Sequence, residues 1–173
     1  MNTRLHVLNA LLLAALVGGS LLVFPDLPER MPAHFGAGGE VTRWEDRSLW
    51  GWLLVPLIAL GTVALTYGSA ALLPRKPHLI NLPEKAAFLA LPAERRAPVI
   101  ARMQGFLYGI SSGVLVVFGL VQWMLYRTAL GAEPESYVAL TLVVGILIGP
   151  LALAVWLPGI SGEIRRQTRS ERS

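Results

Sequence analysis

A chain of 173 residues with 54% hydrophobic side chains, 15% charged ones and a mean hydropathy of +0.55 is too apolar for an ordinary water-soluble domain. It has no cysteine, which excludes disulfides and thiolate metal sites. A net charge of +4 would suit nucleic acid, but the placement of the basic residues argues for a membrane instead.

Four stretches without Asp, Glu, Lys or Arg follow one another at about 5–24, 49–73, 103–126 and 137–160. A helix rises about 1.5 Å per residue, so about 20 apolar residues cross a hydrocarbon core of about 30 Å. The predicted fold class is an all-α integral membrane protein, a four-transmembrane-helix bundle forming one membrane domain over 1–173. The connecting segments are an outer cap at 25–48, a cytoplasmic loop at 74–102, a short outer loop at 128–136 and a cytoplasmic tail at 161–173. Lys and Arg set the orientation: eleven lie at the amino terminus, in 74–102 and in the tail, against four in the other two loops. Both termini are therefore expected in the cytoplasm, in the cell (inner or plasma) membrane. The first stretch also begins like a signal peptide after Arg4, but Val17-Gly18-Gly19-Ser20 fits a small-x-small cleavage site poorly, and an uncleaved span is expected.

The cap is the most specific text in the chain. Pro25, Pro28 and Pro32 stiffen an extended exit from the first span, and Gly36, Gly38 and Gly39 supply the freedom for a tight reversal. Residues 31–35 and 40–44 are expected to pair as a short hairpin, with Phe35 and Trp44 turned towards the membrane or the helix ends. His34 has three readings: a hydrogen bond to a backbone carbonyl or Glu40 that pins the hairpin, a contact for an external peptide or lipid headgroup, or a metal site with Glu40 and Asp46. One histidine without cysteine is a poor ligand set, so no metal is expected.

The residues Pro25, Pro28, Pro32, His34, Phe35, Gly39 and Trp44 resemble the pattern of domain-of-unknown-function family 1648, the N-terminal domain of SdpI-type bacterial immunity membrane proteins. Phe24 stands where the family usually has Tyr, Gly36 where it often has Asn, and Arg47 where it usually has Lys. The phrase from Phe88 to Arg96 is similar to stand-alone four-span members, and the chain is shorter than the six-span immunity proteins. The resemblance implies a multi-pass protein that gives immunity to, or senses, a membrane-active peptide, with the seven motif residues forming the cap or ligand site.

Further along, Trp44, Trp50, Trp52, Trp123, Tyr126 and Tyr137 gather at predicted outer span ends and Trp156 near an inner one, as an aromatic belt would. Pro56 and Pro150 are expected to kink the second and fourth spans. Gly105, Gly109, Gly113, Gly145 and Gly149 recur at helical spacing and suit helix packing, either within one bundle or across a homo-oligomer face. In 74–102, two short helices split by Pro92 and Pro98 present Phe88, Leu89 and Leu91 on one side and basic residues on the other, a pattern for lying on anionic lipid.

Chemistry is sparse. The spans offer Asn9, Thr62, Thr66, Tyr108, Ser111, Ser112, Gln122 and Thr141, which interhelical hydrogen bonds explain, and His6 is expected at the interface. No nucleophile elbow, metalloprotease helix or nucleotide-binding loop occurs. The expectation is a non-enzymatic protein with no cofactor and no nucleic-acid partner. Its partners would be the lipid bilayer and either a hydrophobic peptide or a membrane protein. The alternatives are an accessory or transport subunit, and a membrane anchor recruiting a cytosolic regulator through the basic middle loop.

Overall fold

The computed structural model describes residues 2–36, 39–82, 84–133 and 135–169. Of the positions singled out above, Gly38 and the side chains of Tyr137, Thr141 and Pro150 lie outside the described residues. Helix α1 spans Thr3–Val23, strands β1 and β2 span Arg30–Phe35 and Val41–Asp46, and helices α2, α3, α4 and α5 span Leu49–Leu72, Lys85–Ala90, Ala93–Ala129 and Glu135–Arg169.

α1, α2 and α4 are each long and apolar enough to cross a membrane. Their burial is inverted relative to a water-soluble protein. Leu22, Leu65 and Trp50 are 79%, 73% and 77% exposed, whereas Asn9, Ser20, Ser111 and Gln122 are at most 6% exposed. Polar groups turn inward and leucines outward only where the surrounding solvent is hydrocarbon.

α4 is the hub, packing on α1, α2 and α5. Its far end closes with Gly131 at φ +88°, the amide of Ala132 donating to the carbonyl of Arg127 at 3.0 Å. This left-handed glycine stop satisfies a last-turn carbonyl and turns the chain directly into α5. α2 begins at Ser48, whose side chain accepts from the Gly51 amide at 3.1 Å, and runs as one helix through Pro56.

Two expectations fail at the other end of the molecule. α4 starts at Ala93 and passes through Pro98 without a break. At 37 residues it is about 56 Å long, so roughly 17 residues extend beyond a hydrocarbon core of about 30 Å. α5 likewise continues as helix past 160 to Arg169. Between these extensions sits the largest buried cluster of the described residues: Ile80, Leu82, Phe88, Val99, Ile100, Ile160 and Ile164. Phe88 and Leu91 are 0% and 1% exposed, so the apolar side of the middle loop is turned into protein, not onto lipid. The loop is a packed collar. Arg96 fixes it by donating to the carbonyls of Leu89 at 3.0 Å and Leu91 at 2.6 Å, capping the end of α3 with a cation.

Candidate functional site

The segment between α1 and α2 is an antiparallel hairpin in which Arg30 pairs with Asp46, Pro32 with Trp44 and Phe35 with Val41. Bulges on either side of His34 shift the register there. The reversal is closed by Gly36 donating to the Glu40 carbonyl at 2.8 Å, with Gly39 at φ +92°. A Cβ at Gly36 would meet only the carboxylate of Glu40, the far end of an exposed side chain that can swing aside. Each observed strand is one residue longer than expected, and the second begins one residue and ends two residues later, so Phe35 pairs with Val41 and Trp44 with Pro32.

His34 is exposed, and its Nδ1 lies 2.8 Å from the Thr42 hydroxyl rather than near Glu40. The bulge explains the change, since it sets His34 across from Arg43 and within reach of the next side chain along. Trp44 remains 40% exposed.

Arg47, one of the family-pattern departures, clamps the start of the hairpin. It donates to the carbonyls of Pro25 at 3.0 Å and Leu27 at 2.6 Å, and its guanidinium lies 5.6 Å from the centre of the Phe24 ring. A second of the three departures, Phe24, is thus its stacking partner. Beneath the hairpin Leu27, Met31 and Trp52 form a buried cluster with Leu125 and Tyr126 of α4 beside it.

Two cavities flank Trp52. The first, about 310 Å³, is a cleft between the underside of the hairpin, α2 and α4. Its floor is apolar, with Val55, Val121 and Met124, and its rim carries Arg43, Glu45 and Asp46. Of the motif residues, Pro32 and Phe35 line it, whereas His34, Gly39 and Trp44 do not. The second, about 540 Å³, is a groove between α1 and α4 in the half of the bundle nearer the hairpin. Pro25 and Pro28 line neither cavity and lie on the path leading out of α1.

The helix interior carries a polar chain that spacing could not reveal. Asn9 Nδ2 donates to the Tyr67 hydroxyl at 3.1 Å and to the Tyr108 carbonyl at 2.9 Å, while the Ser112 hydroxyl donates to Asn9 Oδ1 at 2.7 Å. His6 Nδ1 lies 3.2 Å from the Tyr67 hydroxyl, and its ring is 4.4 Å from that of Tyr108. These groups tie α1, α2 and α4 together, and Asn9 is fully satisfied by them. Tyr67 went unnoticed as a sequence feature because one tyrosine in an apolar helix gives no signal. Gly105 and Gly109 lie against the ring of Trp156 from α5, 2.8 Å and 3.6 Å from the nearest ring atom to a would-be Cβ. A Cβ at Gly145 would meet Val117 at 4.0 Å, and one at Gly149 would meet nothing within 4 Å. Gly113 lies one helical step further along α4.

In the collar, Glu163 is 7% exposed and accepts from Gln167 at 2.8 Å and from Arg102 at 3.2 Å, with Arg166 at 3.6 Å. The Gln167 amide holds its carboxyl below the usual carboxylate range, with Arg166 and Arg102 adding to this against the desolvation that pushes it up. A depressed folded-state pKa stabilises the fold above the unfolded value and is lost as pH falls through the folded one. Glu163→Gln is therefore expected to melt about 1–3 kcal/mol less stably at neutral pH. Its stability should also change less than that of the wild type as detergent-solubilised protein is acidified below pH 4.5. Parallel pH curves for the two proteins would refute this role. Among the described residues no cluster of three His, Asp or Glu side chains has metal-site geometry.

Residues 10–60, running from within α1 through the hairpin into α2, match the family model described as Domain of unknown function (DUF1648). Neither a curated protein nor a solved structure matches the chain.

Proposed function

With residues 10–60 a DUF1648 domain, we propose that this is a non-enzymatic four-span membrane protein whose hairpin faces outward and engages a membrane-active peptide, giving immunity to it or sensing it. In this reading α5 is the fourth span and the Arg- and Lys-rich collar lies in the cytoplasm with both termini, as the charge count favours. The observation that supports peptide engagement is the cleft under the hairpin. An apolar floor beneath a rim of Arg43, Glu45 and Asp46 suits an amphipathic chain arriving at the membrane surface, with a greasy side chain below and a charged group above. The spans bring no charged pathway to the interior, which disfavours an ion-coupled carrier.

The test is survival of a deletion strain challenged with cationic membrane-active peptides. Complementation by the wild type should restore resistance, and the cleft variants Phe35→Ala and Asp46→Asn should lose it by about tenfold in inhibitory concentration, the worth of one charge-assisted or packed contact. His34→Ala and Trp44→Ala, on residues outside the cleft wall, separate a broad hairpin role from a cleft role. Unchanged sensitivity in all four variants would sink the reading.

A further inference from the structure

The hairpin has an open edge. β1 is partly buried and packs on α4, whereas β2 is exposed at every residue from Thr42 to Asp46 and contains no proline. The ladder shows which of its backbone groups face outward. The Arg47 amide donates to the Glu29 carbonyl at 2.7 Å, so Glu29 and Arg47 form a hydrogen-bonded pair. Antiparallel pairs alternate, which makes Met31/Glu45 the next bonded pair and leaves Arg30/Asp46 and Pro32/Trp44 non-bonded. Pro32, which has no amide hydrogen, fits such a position. The amides and carbonyls of Trp44 and Asp46 therefore point away from β1. Arg30 donates to the Trp44 carbonyl at 3.1 Å, and that oxygen keeps a second lone pair.

An edge of this kind is a template for one more strand, and its side chains select which. Arg43 and Glu45 lie on one face of β2, 3.1 Å apart, and are 63% and 58% exposed. A second β2, antiparallel about a two-fold axis at Trp44, would exchange two backbone hydrogen bonds between the Trp44 residues. It would also set Arg43 of each copy against Glu45 of the other in non-bonded pairs, where side chains stand nearest. An unrelated strand would leave these charges unmatched. Centring the pair on Asp46 instead would oppose Glu45 to Arg47, whose guanidinium is engaged by the Pro25 and Leu27 carbonyls. Gly105 and Gly109, the face that helix spacing suggests for self-association, are covered by Trp156 of the same chain.

The orientation of the sheet permits such a contact. Met31, across from Glu45, is buried with Trp52 in the first turn of α2, so the face carrying Arg43 and Glu45 looks down on the helix ends. An axis perpendicular to the sheet then runs along the helices, the direction that relates two copies inserted the same way in one membrane. We propose that β2 is a homodimer contact, two copies joining edge to edge at Trp44 in a four-stranded sheet with an Arg43–Glu45 pair on either side of the axis. The contact does not depend on the peptide reading and goes beyond it.

The chain has no cysteine, so Arg43→Cys and Glu45→Cys each carry the one thiol. The two full-length variants, differently tagged, are co-expressed in one membrane and mildly oxidised. Positions 43 and 45 of opposite copies would have Cα atoms about 4.5 Å apart, inside disulfide reach, whereas like positions would be about 8 Å apart, outside it. The mixed pair is expected to cross-link several-fold more than either variant alone. In wild-type protein with a fluorophore on the carboxyl terminus, sparsely reconstituted in phosphatidylcholine vesicles, photobleaching should show two steps. Trp44→Pro removes an outward amide and should give single steps. Glu45→Arg brings like charges together on both sides of the axis and should weaken association about tenfold, and adding Arg43→Glu should restore it. If Trp44→Pro does not fold, the charge reversal and its restoration decide alone. Single steps from the wild type, equal cross-linking in all three samples, or dimers that survive the edge and charge variants would overturn the contact.

Discussion

Phe88→Ala is expected to destabilise the protein by about 3–5 kcal/mol, an unusually large effect for a residue in a connecting loop of a membrane protein. Phe88 is 0% exposed and packs with Ile80, Leu82, Val99, Ile100, Ile160 and Ile164 at the end of the bundle beyond the predicted spans. That position decides the size of the effect. Within the bilayer, truncating a leucine that faces lipid changes little, because lipid fills the space; Leu65→Ala, at a site 73% exposed, is expected to cost under about 0.5 kcal/mol. In the collar the alternative environment is water, so both the transfer term and the cavity term apply. The measurement is thermal unfolding in mild detergent together with trypsin cleavage after Arg75 and Lys85, which should speed up sharply in Phe88→Ala. Matching melting points and cleavage rates for the two variants would return the loop to the membrane surface.

That contrast shows what could be read from the residues and what could not. The three apolar helices were legible because lack of charge over some 20 residues is a one-dimensional property, and the turn was legible because Gly39 sits where φ must be positive. The collar was hidden because its partners are distant in sequence: Arg102 meets Glu163 across 61 residues and Arg165 meets Glu84 across 81. Read locally, those arginines are a basic patch for lipid; in space, several are spoken for by carboxylates and carbonyls. Pro98 misled for a different reason. A proline in the second turn forfeits one hydrogen bond, to the Glu94 carbonyl, while its fixed φ is already helical. Burial of Val99 at 0% and Ile100 at 8% outweighs that loss. At the hairpin, the motif residues were visible as letters but not their division of labour, because the bulges around His34 decide which side chains reach the cleft.

Trp52 is where the two cavities meet, and its replacement carries the second large expected effect. The indole is 4% exposed and lines both the charged cleft and the apolar groove. Its Nε1 donates to the Ser20 carbonyl at 2.7 Å, one of the last-turn carbonyls of α1, and its own carbonyl accepts from Gln122 at 3.2 Å. Trp52→Phe keeps an aromatic wall but strips the donor, and should cost about 1–3 kcal/mol. Trp52→Ala removes the wall as well, for about 3–5 kcal/mol, and joins the cleft to the groove. The chain has no cysteine, so Gly19→Cys places the one thiol on the groove side of the partition. With Trp52 intact that thiol should resist a charged, water-soluble maleimide; in the Trp52→Ala background it should react several-fold faster, while Trp52→Phe stays protected. A difference in stability without any change in labelling would mean that Trp52 supports the helix ends but does not separate the two spaces.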